Sequence, residues 1–499
     1  MSSNERHTLT FCGSFLPSWA TILCHRQAFR TADITGQVKR IDVLPDDTLL
    51  DIFDFCVGTR GLYLHDKARV EEWQSLVHVC QRWRILVLGS PRRLNLQLFC
   101  TPKTPARDTL HVWPALPLIV DGFMISSSPD NVIASLGESN RVCQVRLWTL
   151  TGWQLEQVLA AMQVPFPELT DLRLSLSSNG ETLPVIPDSF LDGSAPRLQY
   201  FILEGIPFPG LPKLVSSAPH LITLWLENIP HSGYISPEAI VVLISVLSSL
   251  KELYLGFQTP QSRPDWESRR PPSSTRSVIP ALISLQFRGV TEYLEDLVTR
   301  IDTPHLRDMK ITFFNQIDFD TPRLAQFINR TPKLGKRDVH VQFYNNFVSV
   351  SLSPGTFIIA ISCREPDWQF SSIEQVCNSS LQPLSMVEDL YIEHHYSELV
   401  WKNEAIENTL WLQLLLPFTA VKNLYLSKEF APGVAAALQE LVGGRITEVL
   451  PGLQNIFVKG REPSGAFQKN VGQFVDARQL SGHLIAISDW HQDSDAESM

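Results

Sequence analysis

One phrase, apolar-x-x-apolar-x-apolar, recurs from residue 142 onward and decides what this chain can fold into. It reads VCQVRL from Val142, LTDLRL from Leu169, LQYFIL from Leu198, LITLWL from Leu221, LKELYL from Leu250, LISLQF from Leu282 and LRDMKI from Leu306. Successive starts lie 27, 29, 23, 29, 32 and 24 residues apart, and VEDLYI from Val387, VKNLYL from Val421 and LQNIFV from Leu453 follow at spacings of 34 and 32. The closing residues of the phrase alternate as in a strand with one buried face. Helical patterns lie between the phrases: WQLEQVLAAM begins at Trp153, PEAIVVLISVLSS at Pro237, TEYLEDLVTRI at Thr291, EAIENTLWLQLLL at Glu404, GVAAALQELVGG at Gly433 and FQKNVGQFVDARQ at Phe467. Each unit is therefore predicted to be a short strand, a turn and a helix. No such unit buries its own apolar side; stacking against its neighbours does. The predicted architecture is an α/β solenoid with a parallel sheet on its concave face.

An L-x-x-L-x-L core at this period is the leucine-rich-repeat signature, here in irregular form. The asparagine expected after the strand is mostly missing, and LITLWLEN, with Asn228, comes near it. Residues 313–386 break the period with the strand-like runs DVHVQFY, FVSVSLS and TFIIAISC, which predicts a distorted or decorated section. Residues 258–278 are rich in Pro, Ser and Arg and read as a long exposed loop. The 34 prolines, many just ahead of apolar runs, fit many short elements with frequent breaks.

Composition excludes several function classes. The chain is 499 residues long with a formal net charge of -10, which argues against a nucleic-acid or membrane-surface partner. No stretch reaches the ~18 apolar residues of a membrane helix. FCGSFLPSWATILC, residues 11–24, is too short and is broken by Pro17. The 8 cysteines are scattered, without a C-x-x-C pair or zinc-ligand spacing. They read as reduced, small apolar side chains, which implies an intracellular setting, cytoplasm or nucleus. Motifs for nucleophilic, phosphoryl-transfer, metal-protease or dinucleotide chemistry are lacking. EHHY, at Glu393–Tyr396, puts its two histidines on opposite faces of a strand. No catalytic residue, metal site or cofactor is expected. Cys80, near Arg82 and Arg84, is expected to pack on an apolar helix face rather than act as a nucleophile.

Ahead of the repeats, VLPDDTLLDIFDFCV spans residues 43–57. Pro45 suits a first helical turn, and Asp46 and Asp47 oppose the positive end of the helix dipole. Leu49, Leu50, Ile52, Phe53, Cys56 and Val57 fall in an arc of roughly 160°. A second helix is predicted from Trp73, Leu76, Val77, Cys80, Trp83 and Val87, with Val79 and Leu86 widening its face, ending before Pro91. Two short helices with arcs this wide carry more apolar area than they bury on each other, so the excess must meet a partner. The polar stretch between them, Gly58–Glu72, reads as a loop or an extra half-turn.

The two halves in order, L-P-x-D/E-x-L-x-x-I-F and then L-x-x-V-C-x-x-W-x-x-L, resemble the F-box pattern. Leu44, Pro45, Asp47, Leu49, Ile52 and Phe53 match the first half, and Leu76, Val79, Cys80, Trp83 and Leu86 the second. With VHVCQRWR, SPRRL and FTAVKNLYL, the chain is most similar to the large set of fungal F-box proteins of the F-box/leucine-rich-repeat kind. The resemblance implies an adaptor-binding module in which Leu44, Pro45, Leu49, Leu50, Ile52, Phe53, Leu76, Val79, Cys80, Trp83 and Leu86 pack on a Skp-type adaptor or in the module's own core. Through that adaptor it implies a cullin–RING ubiquitin ligase, with the repeat holding a protein target. The alternative is an ordinary helical hairpin packing on the next domain.

Target binding is expected on the fifth position of each phrase, which points outward. That row reads Arg173, Ile202, Trp225, Tyr254, Gln286, Lys310, Tyr391, Tyr425 and Phe457. Aromatic residues anchor protein interfaces, although strand propensity favours them as well. The expected order along the chain is a poorly ordered segment 1–40, the F-box 41–98, a connector 99–140, the solenoid 141–488 and an acidic tail 489–499. The expected function is a non-catalytic substrate receptor of an SCF-type ubiquitin ligase. A scaffold of the same build that delivers nothing for ubiquitination is the alternative.

Overall fold

The computed structural model describes residues 44–58, 72–177, 183–260, 276–316, 319, 321, 322–331, 333–334, 338–353, 356–379, 381, 384, 386–395, 406–441, 445–459 and 465–490. The predicted segment 1–40, the core of the Gly58–Glu72 stretch, most of the 258–278 loop and nearly all of the acidic tail lie outside these residues. The chain divides into two compact units: residues 1–121 with 130–144, and residues 122–129 with 145–499.

In the first unit, Asp46 and Asp47 open helix α1 (Asp46–Gly58), where carboxylates meet the positive end of the dipole. The sequence predicts one continuous helix after it. The structure instead breaks it into α2 (Glu72–Val77) and α3 (Gln81–Gly89), with Cys80 extended at φ −157°, ψ 169° between them. Val77, Val79 and Cys80 are weak helix formers, and Arg84 stabilises the break by donating from Nε to the Val77 carbonyl at 2.9 Å. Cys80 is therefore exposed at the start of α3 rather than packed on an apolar face, and Cys56 is exposed too. Leu49, Leu50, Phe53, Trp73, Leu76, Val77, Trp83 and Val87 are buried. The Phe53 and Trp83 rings meet at 4.7 Å. Arg82 pairs with Asp46 at 2.5 Å and Arg93 with Asp51 at 2.5 Å. These pairs are solvated, so they hold register more than they add stability. The unit continues with β1 (Leu98–Cys100), α4 (Ala106–Val112), β2 (Leu118–Phe123) and α5 (Asp130–Leu136). Strands β1 and β2 pair in parallel, Leu98 opposite Leu118.

The second unit takes up within β3 (Val142–Leu150) and runs α6 (Gly152–Ala161), β4 (Asp171–Leu176), β5 (Tyr200–Glu204), α7 (Leu211–Ser216), β6 (Thr223–Ile229), α8 (Pro237–Ser245), β7 (Glu252–Phe257) and β8 (Ser277–Val278). It goes on through β9 (Ser284–Gly289), α9 (Thr291–Arg300), β10 (Ile301–Asp302), β11 (Asp308–Phe313), α10 (Pro322–Arg330), β12 (Asp338–Phe343), β13 (Val348–Ser353) and β14 (Thr356–Ile361). It closes with α11 (Pro366–Ser379), β15 (Asp389–His394), α12 (Asn408–Leu415), β16 (Asn423–Leu426), α13 (Ala431–Gln439), β17 (Asn455–Lys459), α14 (Gly465–Leu480) and β18 (Ala486–Trp490). From β3 the sheet order is β3-β4-β5-β6-β7-β9-β11-β14-β13-β12-β15-β16-β17-β18, with β8 and β10 a separate pair.

Local chemistry explains the elements. Thr151 and Gln154 form a capping box at α6, and Ser236 caps α8 ahead of Pro237, satisfying donors that a helix start leaves unpaired. The apolar positions of the recurring phrase, such as Leu172, Leu174, Leu224, Leu226, Leu253 and Leu255, are buried. Asn228 sits at φ 51° beside a shift in register between β6 and β7, a conformation asparagine adopts at little cost. Between β4 and β5 the described residues of the repeat carry a short turn at Phe190–Gly193.

The irregular 313–386 section is a decoration that leaves the sheet unbroken. Strand β12 lands beyond β11, beside β15, and β13 and β14 return as an antiparallel meander until β14 pairs with β11. Two helices that sequence reading missed, α10 and α11, flank it. Among the described residues, no helix is long and apolar enough to cross a membrane.

Candidate interaction surfaces

Strand register decides which side chains share a line. Arg173 lies opposite Ile202, Ile202 opposite Trp225, Trp225 opposite Tyr254 and Tyr254 opposite Gln286. Gln286 and Lys310 are partners. The meander carries the line on through Ile358, Ser351 and His340, and His340 hands it to Tyr391, Tyr425 and Phe457. All nine residues read from the fifth position of the phrase thus stand in one row. The structure adds three that the phrase does not contain. Neighbouring positions of each strand are buried, apart from half-buried Val458, so alternation turns this row away from the core.

The rings of the row stack in two plates. Trp225 and Tyr254 are parallel within 6° at 4.2 Å. His340 and Tyr391 stack at 4.2 Å, Tyr391 and Tyr425 at 4.2 Å, and Tyr425 and Phe457 at 4.6 Å. Trp490 leans on this second plate, 5.6 Å from Tyr425, and Lys459 Nζ lies 5.3 Å from the Trp490 centroid.

Carboxylates border both plates. Glu227 accepts from Trp225 Nε1 at 2.9 Å. Glu204 accepts from Ser175 at 2.8 Å and from Asn228 at 3.2 Å. Glu252 accepts from Thr223 at 3.0 Å. Burial first, then the charges of Glu227 and Glu204, push the Tyr254 phenol up to about 12 against the opposing pull of Arg288. At the second plate, Asp389 accepts from Asn423 at 2.7 Å. Burial, with Asp389 and Asp338 among the further causes, raises the phenols of Tyr391 and Tyr425. Burial also opposes ionisation of Glu393, but hydrogen bonds from His340 and Gln342 and the charges of His395 and His340 outweigh it and hold the carboxyl down to about 2.

The sequence matches no family model. A search of curated proteins returns no match. Among solved structures, the leucine-rich repeat-containing protein LegL7 of Legionella pneumophila aligns with 14% identity and a TM-score of 0.28, covering 78% of this chain and 98% of its own. A likeness that slight adds nothing to the fold, which rests on the strand register itself.

Several of the bordering residues were within reach of the sequence. The third position of the phrase lies on the same face as the fifth and gives Asp171, Glu252, Asp308 and Asp389 directly. His340, Ser351 and Ile358 were not, because the meander lacks the phrase. Asp171 is internally occupied, pairing with Arg146 at 2.7 Å and Arg173 at 2.9 Å.

The first unit sorts its eleven candidate residues into three sets. Leu49, Leu50, Phe53, Leu76 and Trp83 belong to its own core, and Leu44 and Leu86 are half-buried. Pro45, Ile52, Val79 and Cys80 are exposed. Phe55 at 71% and Ile85 at 63% are more exposed still, and neither was singled out from the sequence because neither falls on a fixed position of the pattern. Among the described residues no group of three or more His, Cys, Asp or Glu side chains is placed to hold a metal ion.

Proposed function

We propose that this chain is a substrate-receptor subunit of an SCF-type ubiquitin ligase. Its first unit docks on a Skp-type adaptor, its aromatic row holds a protein target, and the cullin–RING partner supplies the chemistry. One observation carries the reading. The helical module whose sequence resembles an F-box fills its own core with Phe53, Trp73 and Trp83, yet still presents Ile52, Val79 and Ile85 to solvent. Large apolar side chains left outside a completed core are what an adaptor would cover.

The test is co-expression of the full chain with a Skp-type adaptor, comparing wild type with Val79→Asp and Ile85→Asp. The expected result is a wild-type complex that both variants weaken while remaining folded. Capture of the adaptor by neither wild type nor variants overturns the ligase reading. A stable adaptor complex that never promotes ubiquitination of a bound target favours the scaffold alternative.

A further inference from the structure

The recurring phrase returns once more after LQNIFV, in broken form, as LIAISD from Leu484. Its strand, β18, pairs with β17 on one side, and among the described residues no strand pairs with it on the other. Register shows what that leaves open. Leu390, Leu424, Ile456 and Ile487 stand in one column. The first three are buried, whereas Ile487 is 41% exposed. At the first position of the phrase Val387, Val421 and Leu453 are buried, whereas Leu484 is 74% exposed. The core columns of the solenoid thus run out at β18 uncovered. The stretch IAIS, residues 485–488, carries none of the charges or prolines that blunt an exposed sheet edge.

Helix α14 borders the same end. Val471, Phe474 and Arg478 are buried, and Gln473 bonds to Gln439 on α13. At about 100° per residue, Gly472 and Gln479 fall on the side turned from α13. A Cβ built at Gly472 meets nothing within 4 Å. The residues after β18, HQDSDAESM, bring three carboxylates and, besides Ala496, one apolar side chain, Met499, which is poor cover for Leu484 and Ile487. In the first unit the terminal strand β1 has its core positions Leu98 and Cys100 buried, so a head-to-tail contact through β1 would set an open face against a closed one. Two copies related by a two-fold axis set open against open.

We infer that two copies of this chain associate through β18, edge to edge and antiparallel, with α14 beside its counterpart. Pairing centred on Ile487 sets that side chain against its copy and Ala486 against Ser488, and it holds the two Asp489 carboxylates about 14 Å apart along the strands. Gly472 lies at the middle of α14, where bare backbone lets the two helices approach closely. The 16 residues of α14 span about 24 Å. With a strand layer and a helix layer together about 20 Å deep, the two end faces cover about 1,000 Å² in projection. That is the small end of specific interfaces, so the dimer should be micromolar. An axis perpendicular to the sheet leaves both aromatic rows on the same side. This inference goes beyond the proposed function and does not depend on it.

The experiment is sedimentation velocity of the full chain between roughly 1 and 100 μM. The expected result is a monomer–dimer equilibrium with nothing larger. Ile487→Lys and Gly472→Arg should each weaken it about tenfold or more. Gly472→Arg improves helix propensity and enters open space, so its effect is on association rather than folding. Leu480→Lys, on the opposite side of α14 from Val471, should leave the equilibrium unaltered. A monomer at every concentration overturns the proposal. Dimers that form only after removal of residues 491–499 assign the face to the chain's own tail and overturn it as well. Polymers of growing size mean a head-to-tail contact, and equal weakening by Leu480→Lys means unspecific adhesion; either result overturns it. Far-UV circular dichroism of each variant separates lost association from lost fold.

Discussion

At the scale of single residues, the aromatic row depends on an absence. Gly256 lies two residues after Tyr254 on the same strand, and a Cβ built there would come 2.7 Å from Tyr254 Cε1 and 2.9 Å from its hydroxyl oxygen. The tyrosine ring therefore lies over the bare glycine backbone while it stacks on Trp225. Gly256→Ala should push the ring outward and undo that stack with little loss of stability, since a side-chain end can move where backbone cannot. A changed Trp225 fluorescence with an almost unchanged melting temperature is the expected outcome. Gly433 is a different case. A Cβ there would meet Trp411 Nε1 at 2.8 Å, and Trp411 is buried, so the indole cannot yield. Gly433→Ala should cost about 1–3 kcal/mol in spite of its better helix propensity, read from chemical denaturation.

Glu393 carries a prediction about pH. Its folded carboxyl is held down to about 2 from an ordinary 4.5. A depressed carboxyl stabilises the fold fully above the unfolded value and loses that contribution as pH falls toward the folded one. The stability difference between wild type and Glu393→Gln should therefore be fully present just above pH 4.5 and vanish between pH 4.5 and 2. Its plateau should be on the order of 2 kcal/mol. Denaturation curves at a series of pH values give both quantities, and a difference that persists at pH 2 would contradict the assignment.

Elements show where reading a sequence succeeds and where it stops. The phrase carries its own register: once Leu224 and Leu226 are taken as buried, Trp225 must face outward, and every strand with the phrase obeys the same rule. The meander does not. DVHVQFY and FVSVSLS announce strands by alternation, but alternation says nothing of which strand pairs with which, and the placement of β12 beyond β11 is a tertiary choice. The split between α2 and α3 was hidden for a related reason. A helical period continues through Val79 and Cys80, and only the Arg84 bond to the Val77 carbonyl and the burial of both Trp73 and Trp83 reveal the break. Arg478 was equally hidden, since a charged residue near the end of a helix reads as solvated. It is instead fully buried on α14, where its guanidinium donates to the carbonyls of Val449 at 2.8 Å, Leu450 at 3.0 Å and Pro451 at 3.3 Å. Those carbonyls belong to the turn before β17, so one side chain satisfies three successive acceptors of that turn. Arg478→Met keeps the volume and strands the acceptors, and should cost about 3 kcal/mol in denaturant unfolding.

For the whole molecule, the division of labour between a filled core and an uncovered surface separates two kinds of loss that a simple capture assay confuses. Phe53 is fully buried and its ring packs on Trp83, so Phe53→Ala should destabilise the first unit by about 3–5 kcal/mol. Adaptor capture would fall with it, indirectly. Ile85, on α3 and 63% exposed, lies outside that core, so Ile85→Asp should abolish capture at nearly wild-type stability. Leu49→Asp, which the sequence pattern makes the obvious choice, belongs with Phe53 because Leu49 is fully buried. Hydrogen exchange of α1 and α3 distinguishes the cases: faster exchange in Phe53→Ala and Leu49→Asp, unchanged exchange in Ile85→Asp. If Ile85→Asp instead loosens both helices as much as Phe53→Ala does, its exposed face is part of the fold rather than a surface awaiting a partner, and the adaptor must dock elsewhere.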